Sequence, residues 1–188
     1  MGLSIMNVYD VIALTIHSND MMVEGRTVMQ KLIYFNSIKI PTIQIQSYAH
    51  HFYGPFSSEV ATALEEMFAL SYLNKIIHSG FYDSYTYLLT AKGKKFTSNL
   101  TLEHPKEHTQ ISKIVKKCRE FCELKPEPLS FAAKAHHILV NTKKTRGKYS
   151  RSDVQDVAKD FDWNISKKDV KIGMSLLEEL GFVQTLQK

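Results

Sequence analysis

Two helical patterns joined across a Tyr-Gly-Pro-Phe turn constrain the fold of this chain more than any other stretch of it. Apolar side chains recur at helical spacing in residues 25–35, which contain the phrase Val-Met-Gln-Lys-Leu-Ile-Tyr-Phe. In the turn, residues 53–56, Gly54 tolerates positive φ and the following Pro55 fixes φ. A polar helix start comes next at Ser57 or Ser58, so the stretch is predicted to fold as helix, turn and helix.

A β-hairpin pattern follows the third predicted helix, which covers about residues 57–70. Gly80 marks the turn of this hairpin, and Tyr85, Tyr87 and Leu89 alternate along its return strand. Helix, turn, helix and hairpin in this order are typical of a winged helix-turn-helix. We therefore expect an α+β, mostly α protein with a winged helix-turn-helix-like N-terminal domain over residues 1–100.

The rest of the chain is predicted to be mostly helical. Further helices are expected at about residues 5–18, 92–96, 105–122, 130–140, 150–161 and 166–180. Pro126 and Pro128 are expected to end the helix that begins at Pro105. A short strand or extended link fits residues 42–48, and a closing strand fits residues 182–186.

Residues 101–188 are expected to form a second, helical domain. Two of its helices begin with capping-box-like pairs, Ser150 with Asp153 and Ser166 with Asp169. Helix, turn, helix and a short apolar strand weakly repeat the N-terminal order, so a second helix-turn-helix-like unit is an open alternative for this domain.

The net charge follows the same division. Residues 1–100 carry seven Lys or Arg and seven Asp or Glu, whereas residues 101–188 carry seventeen and twelve, so the whole excess of +5 lies in the second half. No apolar run approaches the ~18 residues that a membrane span needs. The N-terminus has no basic stretch or cleavage site typical of a secretory signal. We therefore expect a cytoplasmic protein.

Several phrases of the chain resemble a known family. They are Met29–Phe35, Tyr53–Ser57, Glu59 with Val60, Leu64, and Leu89–Gly93. Together they resemble the YwgA-like uncharacterised proteins and the Panacea antitoxin domain, which are small and winged-helix-like. The YwgA-like proteins are similar over more of the chain, including a tryptophan before a helix, as at Trp163. The resemblance implies no established catalytic residues, and the better-understood relatives imply neutralisation of a partner protein.

The first motif and the third helix offer candidate contacts for a protein partner. Lys31 and Tyr34 lie one helical turn apart and could hold a phosphate or an acidic side chain; alternatively, Tyr34 anchors the helix and Lys31 is solvated. The Tyr-Gly-Pro-Phe turn likewise either shapes the chain or contacts a ligand. The third helix carries Glu59, Glu65 and Glu66 and no Lys or Arg, which suits a protein surface better than DNA. The candidate protein-contact residues are Gln30, Lys31, Tyr34, Tyr53, Phe56, Glu59 and Glu65.

Basic residues of the second half are candidate contacts for nucleic acid. Three lysines lie at the helix start near Ser166, where backbone N–H groups also favour phosphate. The alternative is an ordinary solvated surface, because aspartates such as Asp153 and Asp156 dilute the positive field. The candidate nucleic-acid-binding residues are Lys143, Lys144, Arg146, Lys148, Arg151, Lys167, Lys168 and Lys171.

The sequence has no motif for catalysis, metal binding or phosphate binding by a Gly-rich loop. Cys118 and Cys122 are four residues apart and are expected to be reduced, buried thiols. We therefore predict a non-enzymatic recognition protein with no metal and no cofactor, a protein-interaction module of the antitoxin or regulator type. The alternative is a DNA-binding transcriptional regulator that acts through the C-terminal basic surface. Dimerisation is left open, and an enzyme whose site is assembled from distant residues is the third alternative.

Overall fold

The structure is a computed structural model that describes residues 5–80, 83–141 and 151–183, apart from the side chains of residues 151–153. In this part of the chain helices dominate and three strands form an antiparallel sheet, which confirms the α+β, mostly α class. The helices are α1 (Val8–His17), α2 (Arg26–Lys39), α3 (Ser58–Ala69), α4 (Ala91–Glu103), α5 (Pro105–Cys122), α6 (Pro126–Asn141), α7 (Arg151–Ala158) and α8 (Lys167–Leu180), with a 3-10 helix at Lys159–Phe161. The strands are β1 (Met22–Glu24), β2 (Leu73–His78) and β3 (Ser84–Leu89). None of the described helices is both long and apolar enough to cross a lipid bilayer.

The chain divides into two compact units. The first unit consists of Met1–Tyr48 and Ser57–Lys116, and the second consists of Ala49–Phe56 and Lys117–Lys188. The segment that carries the Tyr-Gly-Pro-Phe turn therefore belongs to the second unit, although it connects two helices of the first. A compact unit is not by itself an independently folding domain, so the domain boundary at residue 100 stays a prediction.

The sheet belongs to the first unit and has the strand order β1-β3-β2, with both pairs antiparallel. β2 and β3 form the predicted hairpin, in which Leu73 lies opposite Leu89. β1 pairs Val23 with Tyr87, and both of these side chains are buried. β1 was not predicted, because a strand of three residues is too short to show a clear alternation.

α1 packs against α2, α3, α4 and β3 in the first unit. Its apolar side chains, such as Ile12 and Ile16, have no exposed surface. The helix begins later than the predicted start near Ile5, because Asn7 caps it. The Asn7 side chain accepts hydrogen bonds from the backbone N–H groups of Tyr9 and Asp10, and the Asp10 carboxylate accepts from the Asn7 N–H. This capping box sets the first turn of α1.

In the second unit α6 and α8 pack closely against each other. Gly173 of α8 permits this approach, since a Cβ atom there would lie 2.7 Å from the backbone carbonyl of Phe131. α8 begins with the predicted capping box. The Ser166 N–H donates to the Asp169 carboxylate at 2.9 Å, and the Asp169 N–H donates to the Ser166 hydroxyl at 3.2 Å. The helix ends at Gly181, whose φ of 70° lies in the left-handed region.

The sequence predicts that Pro126 and Pro128 end the helix that begins at Pro105 and that the next helix starts near Ser130. The predicted start of this next helix is wrong. α6 begins at Pro126, so both prolines lie in its first turn. Proline is tolerated there because the first N–H groups of a helix have no partner within the helix.

Of the two alternatives for residues 42–48, the structure has the extended link. An isolated parallel bridge joins Ile43 to Met6, and no strand forms. Phe182 and Val183 are not in a strand either, and the rest of the predicted closing strand lies outside the described residues, as does the predicted helix cap Ser150.

Candidate functional site

Gln30 of α2 holds the start of α3. Its side-chain amide donates to the carbonyl oxygen of Ser57 at 2.9 Å, and its side-chain oxygen accepts from the Ser57 N–H at 3.0 Å. Gln30 and Ser57 are only 2% and 1% exposed. Of the two predicted caps, Ser57 is the one that caps α3, since its hydroxyl accepts from the Val60 N–H. Because buried backbone groups need partners, this pair determines where α3 begins.

Three of the predicted contact residues lie on α2, in the interior of the first unit. Gln30, Lys31 and Tyr34 are 2%, 2% and 4% exposed. Burial raises the pKa of the Tyr34 hydroxyl above its ordinary value. A partner protein has no direct access to these side chains in this structure, and their contact role stays a prediction.

The outer side of α3 is exposed and forms a shallow depression, which we call the α3 face. It has a volume of ≈ 530 Å³ and is lined by Ala61, Thr62, Glu65, Glu66 and Ala69. The two alanines and the threonine leave room for the side chains of a partner, and the two glutamates supply negative charge. Only Glu65 of this set was singled out as a contact from the sequence, because small residues on a helix carry no signal of their own.

The carboxylates of α3 keep a net negative charge. Glu65 forms an ion pair of 2.6 Å with Lys75 of β2. Glu66 accepts a hydrogen bond from the Tyr9 hydroxyl, and Glu59 accepts from a backbone N–H. Both of these donors are neutral, so two of the three carboxylates are stabilised without being neutralised.

A second depression, the α2 groove, lies between α2 and the extended link. It has a volume of ≈ 530 Å³ and is lined by Tyr34, Ser37, Ile38, Ile43, Gln44, Ile45, Gln46 and Tyr48. The rings of Tyr34 and Tyr48 meet edge to face at 4.8 Å, and the hydroxyls of Ser37 and Tyr48 lie 3.2 Å apart. Of these residues, Tyr34 alone was a candidate from the sequence, because only the tertiary structure lays the extended link beside α2.

The Tyr-Gly-Pro-Phe turn is shaped by contacts within the second unit. Gly54 has a φ of 93°, which a residue with a side chain rarely adopts. The indole N–H of Trp163 donates to the carbonyl oxygen of His51 at 2.8 Å. Of the two predicted contact residues, Tyr53 is 53% exposed and Phe56 is half-buried. Tyr53 is therefore accessible to a partner, and Phe56 is less so.

Trp163 is surrounded by rings and by one cation in the second unit. Its indole stacks on Phe161 at 5.1 Å, and the rings of His50 and His137 lie 5.7 and 5.8 Å away. The ammonium group of Lys134 lies 5.5 Å from the indole ring. Burial lowers the pKa of Lys134 and that of His137 below their ordinary values, because the surroundings disfavour the charged form of each side chain.

The basic residues predicted to bind nucleic acid fall into two groups. Lys143, Lys144, Arg146 and Lys148 lie outside the described residues, and Arg151 opens α7 but its side chain is not described. Lys167, Lys168 and Lys171 are exposed on the first two turns of α8. The carboxylate of Asp169 lies on the same turn and already accepts from the N–H and the hydroxyl of the capping residue Ser166. Phosphate would therefore compete with this carboxylate for the end of the helix.

Across residues 5–80, 83–141 and 151–183, no group of three or more His, Cys, Asp or Glu is positioned to hold a metal ion. Cys118 and Cys122 are buried free thiols, as predicted. Burial raises the pKa of the Cys118 thiol, which keeps it protonated and a poor nucleophile.

Comparison with known proteins gives one informative similarity. No protein-family model matches the chain. Over 101 residues the chain is 33% identical to a protein of Bacillus subtilis (strain 168) described as "Uncharacterized protein YwgA". The matched segment is 53% of this chain and 60% of the B. subtilis protein, so the chain spans about three fifths of the relative that it matches. The similarity supports the YwgA-like part of the resemblance, and the relative's description names no activity.

Proposed function

We propose that this chain is a non-enzymatic, cytoplasmic recognition protein that acts as a protein-interaction module of the regulator type and contacts its partner through the α3 face. The observation that carries this proposal is the composition of that face. It is exposed, it combines small side chains with Glu65 and Glu66, and α3 contains no Lys or Arg. Such a surface fits a partner protein with positively charged and small apolar side chains.

The order of elements in the first unit supports a winged helix-turn-helix-like architecture for this module. α1, β1, α2 and α3 are followed by the β2–β3 hairpin, and β1 joins the sheet through β3. α3 then has the position of the recognition helix, which in DNA-binding proteins of this type enters the major groove. Here the carboxylates of α3 would be repelled by phosphates, so the same helix position favours a protein partner.

The Panacea resemblance suggests a biological role for this proposed module. The resemblance implies neutralisation of a partner protein, as an antitoxin does. An antitoxin-like role is consistent with an exposed, preformed contact helix whose start is held by the buried pair Gln30 and Ser57.

The test compares two arginine substitutions at exposed helix positions. Thr62→Arg places a long cation in the α3 face, whereas Gln110→Arg adds the same side chain to an exposed position of α5. Each tagged protein is used to isolate partners from the cells that naturally produce the chain. We expect the wild type and Gln110→Arg to recover one protein in near-stoichiometric amounts, and Thr62→Arg to lose most of it. Recovery of no partner by the wild type, or full recovery by Thr62→Arg, would refute the proposal.

DNA binding is the second candidate, because Lys167, Lys168 and Lys171 are all exposed at one end of α8. Three phosphate contacts would contribute about −2.7 to the slope of log K against log salt for duplex DNA. Changing all three lysines to alanine should remove that part of the slope. A matched triple change of the exposed Lys94, Lys95 and Lys106 serves as the control. Salt-insensitive binding, or no binding at low salt, would exclude this candidate.

A further inference from the structure

We propose that the α2 groove binds a small, uncharged heteroaromatic molecule, and that its occupancy is transmitted to the start of α3. Binding in the groove does not depend on the proposed function, since the groove lies apart from the α3 face. Only the idea that ligand binding in the groove regulates a partner at α3 rests on the proposed function.

The groove has the size and walls of a small-molecule site. Its volume of ≈ 530 Å³ lies within the range of about 300–1,000 Å³ that is typical of ligand pockets. The half-buried ring of Tyr48 forms an aromatic wall that rests on the buried Tyr34, and Ile43 and Ile45 from the extended link form an apolar one. A flat ring placed in the groove can pack against Tyr48 in the edge-to-face or offset geometry that aromatic groups prefer.

The polar groups of the groove are neutral and can both donate and accept. The hydroxyls of Ser37 and Tyr48 are 3.2 Å apart, and the Ser37 hydroxyl also donates to the Tyr34 carbonyl oxygen at 2.8 Å. The side chains of Gln44 and Gln46 are exposed at the edge of the groove and offer amide donors and acceptors. These groups match a ring that carries N–H, ring nitrogen or carbonyl groups.

The lining selects against anionic ligands. None of the eight lining side chains is ionised at neutral pH, because the serine, isoleucine and glutamine side chains have no charge and tyrosine hydroxyls are protonated at this pH, and burial raises the pKa of Tyr34 and Tyr48 further. A phosphate or carboxylate buried here would lose its hydration without gaining a counter-charge. The groove therefore favours a neutral ring over its anionic analogue.

One wall of the groove is bonded directly to α3. The backbone N–H of Gln46 donates to the Glu59 carboxylate at 2.8 Å, and Glu59 lies in the first turn of α3. A ligand that contacts Gln44 and Gln46 shifts this segment, and with it the acceptor on α3. Ligand binding in the groove therefore alters the first turn of α3, the helix that carries the α3 face.

The test uses indole-3-acetamide as the neutral probe and indole-3-acetate as its anionic counterpart. The full-length, ¹⁵N-labelled chain is titrated with each compound and followed by amide chemical shifts. For a ligand of this size we expect a Kd on the order of 1 mM for the amide. The largest shifts are expected at Ser37, Gln44 and Gln46, with a smaller shift at Glu59, and binding of the acetate should be about tenfold weaker. Absence of saturable shifts at the groove, or equal affinity for the two compounds, would overturn the proposal.

Variants separate the groove from non-specific binding to aromatic residues. Tyr48→Ala removes one aromatic wall and should weaken binding of indole-3-acetamide about tenfold or more, whereas Tyr53→Ala, at an exposed tyrosine of the second unit, should leave it unchanged. If Tyr48→Ala does not fold, Ile45→Arg provides the same test, because it places a long side chain over the groove from the half-buried link. Unchanged affinity in the folded groove variant would also overturn the proposal. The Thr62→Arg experiment is independent of these results, so the two proposals can fail separately.

Discussion

The contact between Gln30 and Ser57 should be worth about 1–3 kcal/mol, because it satisfies the buried Ser57 N–H and adds a second donor to the Ser57 carbonyl oxygen. Gln30→Met keeps the length and approximate volume of the side chain but removes its donor and its acceptor. The N–H of Ser57, which is 1% exposed, then loses its acceptor at 3.0 Å, whereas the Ser57 carbonyl oxygen loses the Gln30 amide at 2.9 Å but still accepts from the Ala61 N–H at 3.2 Å. An unsatisfied buried polar group costs about 1–3 kcal/mol, so the Ser57 N–H predicts a loss of about 1–3 kcal/mol. This is a large share of the stability of a small protein.

The measurement is urea denaturation followed by circular dichroism at 222 nm, with Gln110→Met as the matched control. Gln110 is exposed on α5, so its substitution should change the free energy of unfolding by no more than about 0.5 kcal/mol. Amide hydrogen exchange should also accelerate at Ser57 and at Val60, whose N–H donates to the Ser57 hydroxyl. A loss below about 1 kcal/mol for Gln30→Met, or protection unchanged at Ser57, would refute the reasoning.

Three further changes test other parts of the fold. Gly173→Ala puts a Cβ atom 2.7 Å from the backbone of Phe131 and should cost about 1–3 kcal/mol or more in urea denaturation; no loss would mean that α6 and α8 can separate without cost. Burial, with a smaller effect of the neighbouring His137, lowers the pKa of His136 to about 4. The His136 imidazole therefore takes up a proton near pH 6.5 in the unfolded chain but only near pH 4 in the folded chain. The free energy of unfolding should be highest above pH 6.5 and fall by about 3 kcal/mol between pH 6.5 and 4. Denaturation of His136→Leu at several pH values should show a shallower fall, and an identical slope would contradict this cause. Glu65→Ala breaks an ion pair with a mostly exposed carboxylate and should cost under about 1 kcal/mol, so a larger loss in the same assay would mean that the pair supports the hairpin.

Several features of the fold could be predicted from short stretches of sequence. The capping residue Ser57 marks the start of α3, and the pair Ser166 and Asp169 marks the start of α8. The β2–β3 hairpin also agrees with its alternating pattern. These signals work because each depends on residues within about one helical turn or one pleat of each other.

The candidate site was less predictable. The sequence identified the acidic side of α3, but it assigned Gln30 a contact role, whereas Gln30 bonds to Ser57 at a distance of 27 residues in the chain. The α2 groove was not predicted either, since extended links carry no periodic signal that tells which helix they lie beside. The start of α6 was placed too late because a proline in the first turn of a helix and a proline that ends a helix look alike in a sequence.

By itself, the sequence determined the mostly helical class, the order of helices and hairpin, and the excess of negative charge on α3, since these follow from local periodicity, capping and composition. The tertiary structure alone decided that Gln30, Lys31 and Tyr34 are buried, that β1 pairs with β3, and that the extended link lies beside α2 to form a groove. The reason is that burial and long-range hydrogen bonds depend on which distant surfaces meet, and local sequence patterns do not encode those pairings.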